Sequence, residues 1–355
     1  MPLKQIVFLF AVGFFYLGLS YAEIVDTSGP NVIYITIDGV RYEDFFSNRP
    51  DPRLSKNDSA QLMPYFWSEL APKGVLFGDV RLNQRMEISN TTGISYPAYL
   101  SMFNGLFTKT CESNDYVSSC PRNTVETFPE RLVNEKSIAK RSVAVFSSWK
   151  RIEDAVESVQ GKITVNAGAV EFVDPFFPDA HSEVNQNQRD RLGSNPSDIS
   201  ERPDDITFKH GLIYLKNHQP RFMYLYFTDS DTHAHQGRYD LVVKDLRTYD
   251  KWLKIIIDML GKMGTYGEQT SIVLTTDHGR GIGAEWIHHG RGLQAASFEN
   301  SKRVWGFVYG PNTPALGSVI HPLYGHINLR PTMEKLLGLE LLPFEAPPMK
   351  ECLLF

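Results

Sequence analysis

The chain has 355 residues, of which 42% are hydrophobic and 22% are charged, and this composition is that of a folded globular protein. Its formal net charge of −5 gives no overall attraction to nucleic acid or to anionic lipid, so a nucleic-acid-binding surface is not indicated. We therefore expect a small molecule as the partner.

The first 22 residues have the pattern of a signal peptide. Lys4 precedes an apolar stretch over 6–19, and the small residues Ser20 and Ala22 follow it. The stretch is shorter than the roughly 20 apolar residues that cross a bilayer, which disfavours the alternative of an uncleaved membrane anchor. We predict a signal peptide over 1–22 that is cleaved after Ala22, no stable membrane span after cleavage, and export to the periplasm or the cell exterior.

Cysteine usage fits an exported protein, because oxidising compartments allow disulfides. Cys111 and Cys120 bracket a short polar loop, CESNDYVSSC, and we predict a disulfide between them. Cys352 has no partner and no Cys-x-x-Cys setting, so its role stays open and a sulfur-based metal or redox centre is not indicated.

Several short apolar runs, rich in β-branched and aromatic residues, predict buried strands. In chain order they are NVIYITIDG at 31–39, RSVAVFSS at 141–148, RFMYLYFTD at 221–229, TSIVLTTDHG at 270–279 and RVWGFVYGP at 303–311. Helical patterns lie between them, and the clearest covers 239–264, where apolar residues recur every three or four positions and Gly261 suits the C-terminal cap. This alternation predicts an α/β fold with a mostly parallel sheet.

The segment 171–205 is polar, punctuated by prolines and weakly periodic, so we expect it to run over the surface. Candidate site residues lie on both sides of it, from position 38 to position 289, so it does not divide the chain. We therefore predict a single domain over 23–355. Nothing in the sequence marks a subunit interface, and the oligomeric state stays open.

Metal-capable side chains follow several of the predicted strands, where functional groups of α/β sheets gather. Asp231 and His235 are four residues apart, so one helical turn can aim both at one point. Further candidates are Asp38 in TIDGVR, Asp277 and His278 in TTDHG, and His288 and His289 in WIHHGRG. Imidazole and carboxylate ligands without thiolate favour Zn²⁺, with Mn²⁺ or Fe as alternatives.

These residues also have structural interpretations. Asp38 precedes Gly39, and this pair is commonest in turns. Asp231 could cap the following helix, and Asp229 could do the same or hold a metal ligand in place. The functional interpretation depends on the signals occurring together, each at a predicted strand end, in one exported chain.

The segment NTTGISYPAYLSMFNG places hydroxyl groups near the start of a predicted helix. Ser95 precedes Pro97, which is tolerated in a first helical turn, so the Ser95 hydroxyl would lie at the positive end of the helix. That position favours an alkoxide and an incoming phosphate. Local spacing equally allows Ser95 to be only the N-terminal cap.

Together these residues resemble the alkaline phosphatase superfamily, and most closely its type I phosphodiesterase/nucleotide pyrophosphatase branch. The resemblance extends from Asn31 to Leu339 and rests on the order of IDGVR, SYPAYLSMFNG, DTHAH, TTDHGRG and HHG, followed by VWGFVYGPNTP. It implies a three-layer α/β/α sandwich around a mostly parallel sheet, with two divalent metal ions beside a nucleophilic hydroxyl.

The resemblance assigns two sets of metal ligands. The first set is Asp231, His235 and His289, and the second is Asp38, Asp277 and His278 together with the oxygen of Ser95. His289 is preferred to His288 because the last ligand of the family directly precedes a glycine, as His289 precedes Gly290.

The resemblance also implies roles for residues outside the two sets of metal ligands. Asn114, in ESNDY, is implied as the residue that binds a phosphoryl oxygen, and Thr92 becomes a neighbour of the nucleophile. His326 falls after the family's ligands and is expected to be structural. The arginines that flank the motifs receive no assignment; they are Arg41, Arg280 and Arg291.

The implied function is that of an exported two-metal phosphohydrolase, which cleaves phosphodiesters or phosphomonoesters of a small substrate through a covalent phosphoserine at Ser95. The alternatives are a sulfatase or a phosphotransferase on the same fold, and a non-catalytic, metal-dependent binder of phosphorylated ligands. Sulfatases carry a C/S-x-P-x-R pattern at a residue that is converted to formylglycine. Tyr99 occupies the arginine position here, which disfavours the sulfatase alternative.

Overall fold

The apolar runs predicted as buried strands form the centre of a large sheet. The structure, a computed structural model, describes residues 29–55, 58–193 and 200–354. Its strands are β1 (Asn31–Ile37), β2 (Val75–Phe77), β3 (Met86–Glu87), β4 (Val143–Ser147), β5 (Thr164–Ala167), β6 (Phe222–Phe227), β7 (Thr270–Thr275), β8 (Arg303–Val304), β9 (Gly306–Tyr309), β10 (Gly317–Ser318) and β11 (Tyr324–Gly325). Each of the five predicted runs contains one or two of these strands.

Helices connect the strands. They are α1 (Tyr42–Ser47), α2 (Ser95–Asn104), α3 (Phe128–Lys136), α4 (Ile152–Val156), α5 (Ser182–Leu192), α6 (Asp204–His218), α7 (Asp229–His235), α8 (Tyr239–Leu260), α9 (Thr265–Glu268), α10 (Ala295–Ser301) and α11 (Leu329–Leu336). A π-helical turn covers Phe66–Leu70, and 3₁₀ turns cover Ala71–Lys73, Val80–Leu82, Lys140–Ser142, Gly283–Ile287, His326–Asn328 and Lys350–Cys352. None of the helices in the described ranges combines the length and the apolar character needed to cross a bilayer. The predicted signal peptide over 1–22 lies outside the described residues.

The main sheet has the strand order β10-β2-β9-β7-β1-β6-β4-β5. β1 pairs in parallel with β6 and β7, and β4 pairs in parallel with β5 and β6. β9 runs antiparallel to both of its neighbours, β2 and β7. The predicted mostly parallel sheet is therefore confirmed, with β9 as its reversed strand. A small second sheet has the order β11-β3-β8.

Helices cover both faces of the main sheet. Val32 and Tyr34 of β1 belong to one hydrophobic core, which includes residues of α2, α3 and α11. Ile33 and Ile35, which alternate with them along the strand, belong to a second core with residues of α1, α6 and α8. The predicted three-layer α/β/α architecture follows from this alternation.

The long helix is confirmed, but its relation to Asp231 and His235 differs from the prediction. α8 ends at Leu260 before Gly261, and its predicted apolar stripe is buried. Asp231 and His235 do not lie at the start of α8, because they belong to the separate helix α7. Gly237 separates the two helices with a φ of 70°, a conformation that glycine adopts without steric cost.

The segment 171–205 contains a helix, α5, that its weak periodicity did not indicate. The buried residues of α5 are Val184, Asn185 and Gln188, and two of these three are polar. Asn185 bonds the N–H and the carbonyl of Phe172 at 3.1 and 2.9 Å. Hydrogen bonds of side-chain amides therefore hold α5 in place, and the helix has no apolar stripe from which it could have been predicted.

The predicted disulfide is present between Cys111 and Cys120, whose Cα atoms are 4.5 Å apart. Cys352 is a buried free thiol. Burial raises the pKa of that thiol, which favours its unreactive protonated form. Cys352 therefore belongs to the hydrophobic core.

Two adjacent isoleucines of α8 test the packing of this layer. Ile256 is 2% exposed, whereas Ile255 is 42% exposed. We predict that Ile256→Ala lowers the free energy of unfolding by about 2–5 kcal/mol, because the substitution leaves a cavity. The matched Ile255→Ala variant should cost less than about 1 kcal/mol. Urea denaturation measures both values, and equal losses would contradict the assigned faces of α8.

Candidate active site

Three loops that carry predicted metal ligands meet at one edge of the main sheet. β1 lies between its parallel neighbours β6 and β7, so the carboxyl ends of the three strands are adjacent. Asp38 follows β1 directly, Asp277 follows β7 after Thr276, and α7 begins two residues after β6. The strand arrangement therefore brings together groups that are far apart in sequence.

Six of the predicted metal ligands form two clusters within the described part of the chain. Cluster A consists of Asp38, Asp277 and His278, and cluster B consists of Asp231, His235 and His289. Within each cluster one ligand atom from every residue lies within 4.8 Å of the others. These are the two sets that the resemblance implies. His288 belongs to neither set, and its exposed ring lies 6.2 Å from the ring centroid of His235.

The two clusters are in contact with each other. The rings of His278 and His289 stack with their centroids 3.6 Å apart. His278 Nε2 also lies 3.9 Å from Asp231 Oδ1 of cluster B. Two cations held by these clusters would therefore act on the same small volume.

Cluster A contains buried carboxylate oxygens without hydrogen-bond donors. Asp38 Oδ1 and Asp277 Oδ2 have no hydrogen-bond partner among the described residues, and they lie 3.4 and 3.3 Å from His278 Nε2. Burying such groups without compensation is costly, and a divalent cation among them would provide it. The residues of cluster A therefore fit a bound metal ion.

Backbone carbonyls orient the histidine rings toward the clusters. Nδ1 of His278 lies 2.9 Å from the carbonyl of Gly279, and Nδ1 of His289 lies 2.9 Å from the carbonyl of Gly93. A ring that donates its Nδ1 proton to a carbonyl keeps the Nε2 lone pair for a metal. In cluster B the Nε2 atoms of His235 and His289 converge to 3.1 Å, so these residues also fit a metal ion.

Burial controls protonation at this site. Burial, together with Asp231, raises the pKa of Asp277 to about 6, and burial followed by Asp277 raises the pKa of Asp38 well above its usual range. Burial lowers the pKa of His278 to about 4, and burial followed by His278 lowers the pKa of His289 to about 3. Both imidazoles are therefore neutral at neutral pH, which is the form that binds metal.

Ser95 lies beside cluster A. It is the first residue of α2, and the N-terminal cap is Ile94, so Ser95 is not the cap of this helix. Its Oγ is 3.2 Å from His278 Nε2. Asn114 Oδ1 accepts the N–H of Tyr96 at 2.9 Å, which places Asn114 next to the residue that follows Ser95. The structure thus brings the predicted nucleophile and the predicted phosphoryl ligand to the same helical turn.

Two tyrosines bind Asp38, a role that the sequence did not predict for either of them. Tyr226 and Tyr99 donate hydroxyl protons to Asp38 Oδ2 at 2.5 and 3.4 Å, which leaves Oδ1 for cluster A. Tyr99 is four residues after Ser95 in α2, so helical spacing could have indicated that the two side chains share a face. Tyr226 lies within the apolar run of β6, which carries no signal for such a role.

Arg280 was left unassigned by the sequence and connects three loops of the site. It is 1% exposed and forms an ion pair with Asp231. It also donates to the carbonyls of Gly39 and Ile287 at 3.2 and 3.0 Å. Burial alone would raise the pKa of Asp231, but the Arg280 guanidinium and His235 hold that pKa well below its usual range. Its hydrogen bonds to protein acceptors make Arg280 a support for Asp231.

Asp229 supports the site and lies in neither cluster. Asp204, at the start of α6, accepts the N–H groups of Thr228 and Asp229 at 2.9 Å each. Asp229 Oδ2 in turn accepts the N–H of Asp204 at 3.3 Å. The first residues of α6 and α7 therefore cap each other, and this exchange fixes the helix that carries Asp231 and His235.

The other residues singled out from the sequence lie around the site. His326 is buried, with its Nε2 3.1 Å from the carbonyl of Thr276, and Thr92 bonds Asn90 Oδ1 through its hydroxyl at 3.2 Å. Arg41 pairs with Asp44 and Asp51, whereas Arg291 pairs with Glu112.

Several solved structures share this fold. A putative sulfatase from Bacteroides thetaiotaomicron matches with a TM-score of 0.59 at 15% identity, over 90% of this chain and 73% of that chain. A lipoteichoic acid synthase from Listeria monocytogenes matches with a TM-score of 0.55 at 15% identity, over 92% and 75% of the two chains. A phosphonate monoester hydrolase from Silicibacter pomeroyi matches with a TM-score of 0.53 at 14% identity, over 92% of this chain and 76% of that chain. At these identities the likeness concerns the fold.

Sequence comparison identifies the family but not the predicted branch. No curated protein sequence matches the chain. The family model named Sulfatase matches residues 30–339, which is nearly the extent of the predicted resemblance. This match does not confirm the type I phosphodiesterase/nucleotide pyrophosphatase branch. The chain belongs to the sulfatase family.

Proposed function

We propose that this protein is an exported hydrolase of phosphate esters that uses Ser95 as its nucleophile and two divalent metal ions as cofactors. The observation that carries the proposal is the 3.2 Å distance between Ser95 Oγ and His278 Nε2, because it places a hydroxyl against the unpaired oxygens of cluster A. The donor set of imidazole and carboxylate favours Zn²⁺ over Mn²⁺ or Fe. The Cys111–Cys120 disulfide supports export, since such bonds persist in oxidising compartments.

Two adjacent cation sites suit phosphoryl transfer. Negative charge must be compensated on the attacking and on the leaving oxygen, and two metal ions about 4 Å apart provide this compensation in known two-metal enzymes. When bound, ions in clusters A and B would lower the pKa of the Ser95 hydroxyl and neutralise charge on the leaving oxygen. The contact between the stacked rings of His278 and His289 keeps the two sites together.

The side chains around Ser95 have distinct tasks in this proposal. Ser95 Oγ forms a bond to phosphorus while the bond from phosphorus to the leaving oxygen breaks, and water then hydrolyses the resulting phosphoserine. The positive end of the α2 dipole lies at Ser95 and favours a phosphoryl group there. Asn114, held beside Tyr96, provides an amide N–H₂ group for one of these oxygens.

Sulfate ester hydrolysis is the second candidate, and the match of residues 30–339 to the sulfatase family favours it. The residues at the nucleophile favour phosphate instead. Tyr99 replaces the arginine of the C/S-x-P-x-R pattern, and its hydroxyl contacts Asp38 Oδ2 at 3.4 Å. A serine that stays unmodified provides a hydroxyl for phosphoryl transfer, whereas the sulfatase reaction requires formylglycine at that position.

Replacing the nucleophile tests the reaction. We predict that Ser95→Ala lowers kcat by at least about a thousandfold, because removing a catalytic nucleophile leaves only binding and electrostatic effects. Nitrophenyl phosphate, bis-nitrophenyl phosphate and nitrophenyl sulfate serve as substrates. Ser101→Ala is the matched control, since Ser101 is a buried serine of the same helix whose hydroxyl bonds the carbonyl of Ser89.

The comparison of substrates separates the two candidates. Activity on either phosphate ester, with unmodified serine at position 95 by mass spectrometry, supports the proposal and gives the preference between monoester and diester. Activity on the sulfate ester alone, with formylglycine at position 95, would show a sulfatase. Retention of most activity by Ser95→Ala would remove Ser95 from the mechanism.

Metal analysis tests the cofactor. We predict about two divalent ions per chain in purified protein and about one in the Asp277→Asn variant, because the substitution removes a negative ligand from cluster A. Asp240→Asn is the control, since Asp240 is an exposed aspartate on α8 that pairs with Arg238 and belongs to neither cluster. Mass spectrometry of the metals gives the content. An Asp277→Asn protein with unchanged metal content would refute the assignment of cluster A.

A further inference from the structure

The disulfide loop, residues 111–120, lies against the first turn of α2. Asn114 Oδ1 accepts the N–H of Tyr96 at 2.9 Å, and the Tyr96 hydroxyl donates to the carbonyl of Pro121 at 2.6 Å. Tyr96 directly follows Ser95, so both ends of this tyrosine bind the loop region beside the nucleophile. The position of Asn114 relative to Ser95 therefore depends on how the disulfide loop is held.

Arg151 joins the disulfide loop to Tyr96. Arg151 is 2% exposed, and its guanidinium lies over two aromatic rings, 3.7 Å from the centroid of Tyr96 and 4.2 Å from that of Tyr116. The same guanidinium donates to the backbone carbonyls of Asp115 and Cys120. Arg151 thus contacts the loop through two carbonyls and one ring, and α2 through the other ring.

The surroundings of Arg151 show that it binds protein groups rather than substrate. Its charge is paired with Asp154, which lies two residues after the start of α4. Two aromatic rings contact the guanidinium, and such contacts stabilise a desolvated arginine. A lysine cannot reproduce these ring contacts together with the planar set of donors.

Other contacts hold the ends of the disulfide loop. Glu112 pairs with Arg291, and the Tyr96 hydroxyl donates to the carbonyl of Pro121. Residues 115–119 are exposed, including Tyr116, which is 64% exposed. Arg151 contacts this exposed part through the Asp115 carbonyl and the Tyr116 ring, so it sets the middle of the loop against α2.

We propose that Arg151 is a positioning residue, which holds the disulfide loop so that Asn114 stands beside Ser95 in a fixed orientation. This inference rests on the proposed function, because it assumes that Asn114 binds a phosphoryl oxygen. Arg151 acts through Asn114 and does not touch the substrate. Holding a binding group in place before the substrate arrives improves catalysis, because less order must be imposed in the transition state.

A double-mutant cycle between Arg151 and Asn114 tests this role. Asn114→Ala should lower kcat/KM for the preferred nitrophenyl ester by about a hundredfold, as expected for loss of one donor to a developing oxyanion. Arg151→Lys should lower kcat/KM by about tenfold in the wild-type background and by less than about twofold in the Asn114→Ala background. If Arg151→Lys lowers kcat/KM by the same factor in both backgrounds, Arg151 does not act through Asn114.

Arg330→Lys is the matched control for loss of a buried arginine. Arg330 is fully buried at the other end of α2, where it donates to the carbonyl of Asn104 and pairs with Glu334. Its effect on kcat/KM should be the same in the wild-type background and in the Asn114→Ala background. The Tyr116→Ala variant removes one ring from the solvent side and leaves the buried guanidinium, so it serves if Arg151→Lys does not fold. We expect Tyr116→Ala to lower kcat/KM by less than Arg151→Lys does, and we expect this loss to disappear in the Asn114→Ala background.

Hydrogen exchange and metal content give readouts that do not depend on turnover. The amide of Tyr96 should exchange faster in Arg151→Lys than in wild type or in Arg330→Lys, and the metal content should be unchanged. Unchanged exchange at Tyr96 would overturn the role of Arg151 even if activity fell. If Ser95→Ala keeps its activity, the proposed function fails. If Ser95→Ala is inactive but the effects of Arg151→Lys and Asn114→Ala are additive, only the role of Arg151 is overturned.

Discussion

The site depends on carboxylate oxygens that the fold buries without hydrogen-bond donors. Asp38 Oδ1 and Asp277 Oδ2 lie 3.4 and 3.3 Å from His278 Nε2 at the edge of the main sheet, and no group in the described part of the chain donates to either oxygen. Leaving such charges unpaired would cost several kcal/mol, so the arrangement is stable only with protons or a cation. We interpret the nearby hydroxyl of Ser95 as the group that this cation activates.

The sheet provides the geometry, and other side chains provide the orientation. Parallel pairing of β1 with β6 and β7 sets the three ligand-bearing loops next to each other. Arg280 and the exchange of caps between Asp204 and Asp229 then fix α7. Tyr226 and Tyr99 occupy one oxygen of Asp38 and leave the other for the cation. Neighbouring side chains thus orient Asp38 and the helix that carries Asp231 and His235.

The residues of clusters A and B could be selected from the sequence because their motifs contain residue types that bind metals and most of them follow a strand. His289 is the exception, since it follows the 3₁₀ turn Gly283–Ile287. The two groupings required the resemblance, since spacing alone does not say which strand ends are neighbours. The supporting residues could not be predicted in the same way. Besides its ion pair with Asp231, Arg280 binds backbone carbonyls, and Asp204 binds backbone N–H groups of a helix that starts 25 residues later. Backbone partners of this kind leave no signal in the sequence. Tyr99 is the exception, because its i+4 spacing from Ser95 places both on one face of α2.

The sequence also predicted some helices of the fold and missed others. α8 has an apolar stripe that the sequence reveals, whereas α5 is held by the amides of Asn185 and Gln188 and shows none. The match of residues 30–339 to the sulfatase family does not separate sulfate ester hydrolysis from phosphate ester hydrolysis. The most direct measurement of the central claim is an anomalous difference map from crystals of the purified protein, recorded on both sides of the zinc absorption edge. The account predicts one peak in cluster A, within bonding distance of Ser95 Oγ, and one in cluster B. A map without density at the oxygens of Asp38 and Asp277 would contradict it.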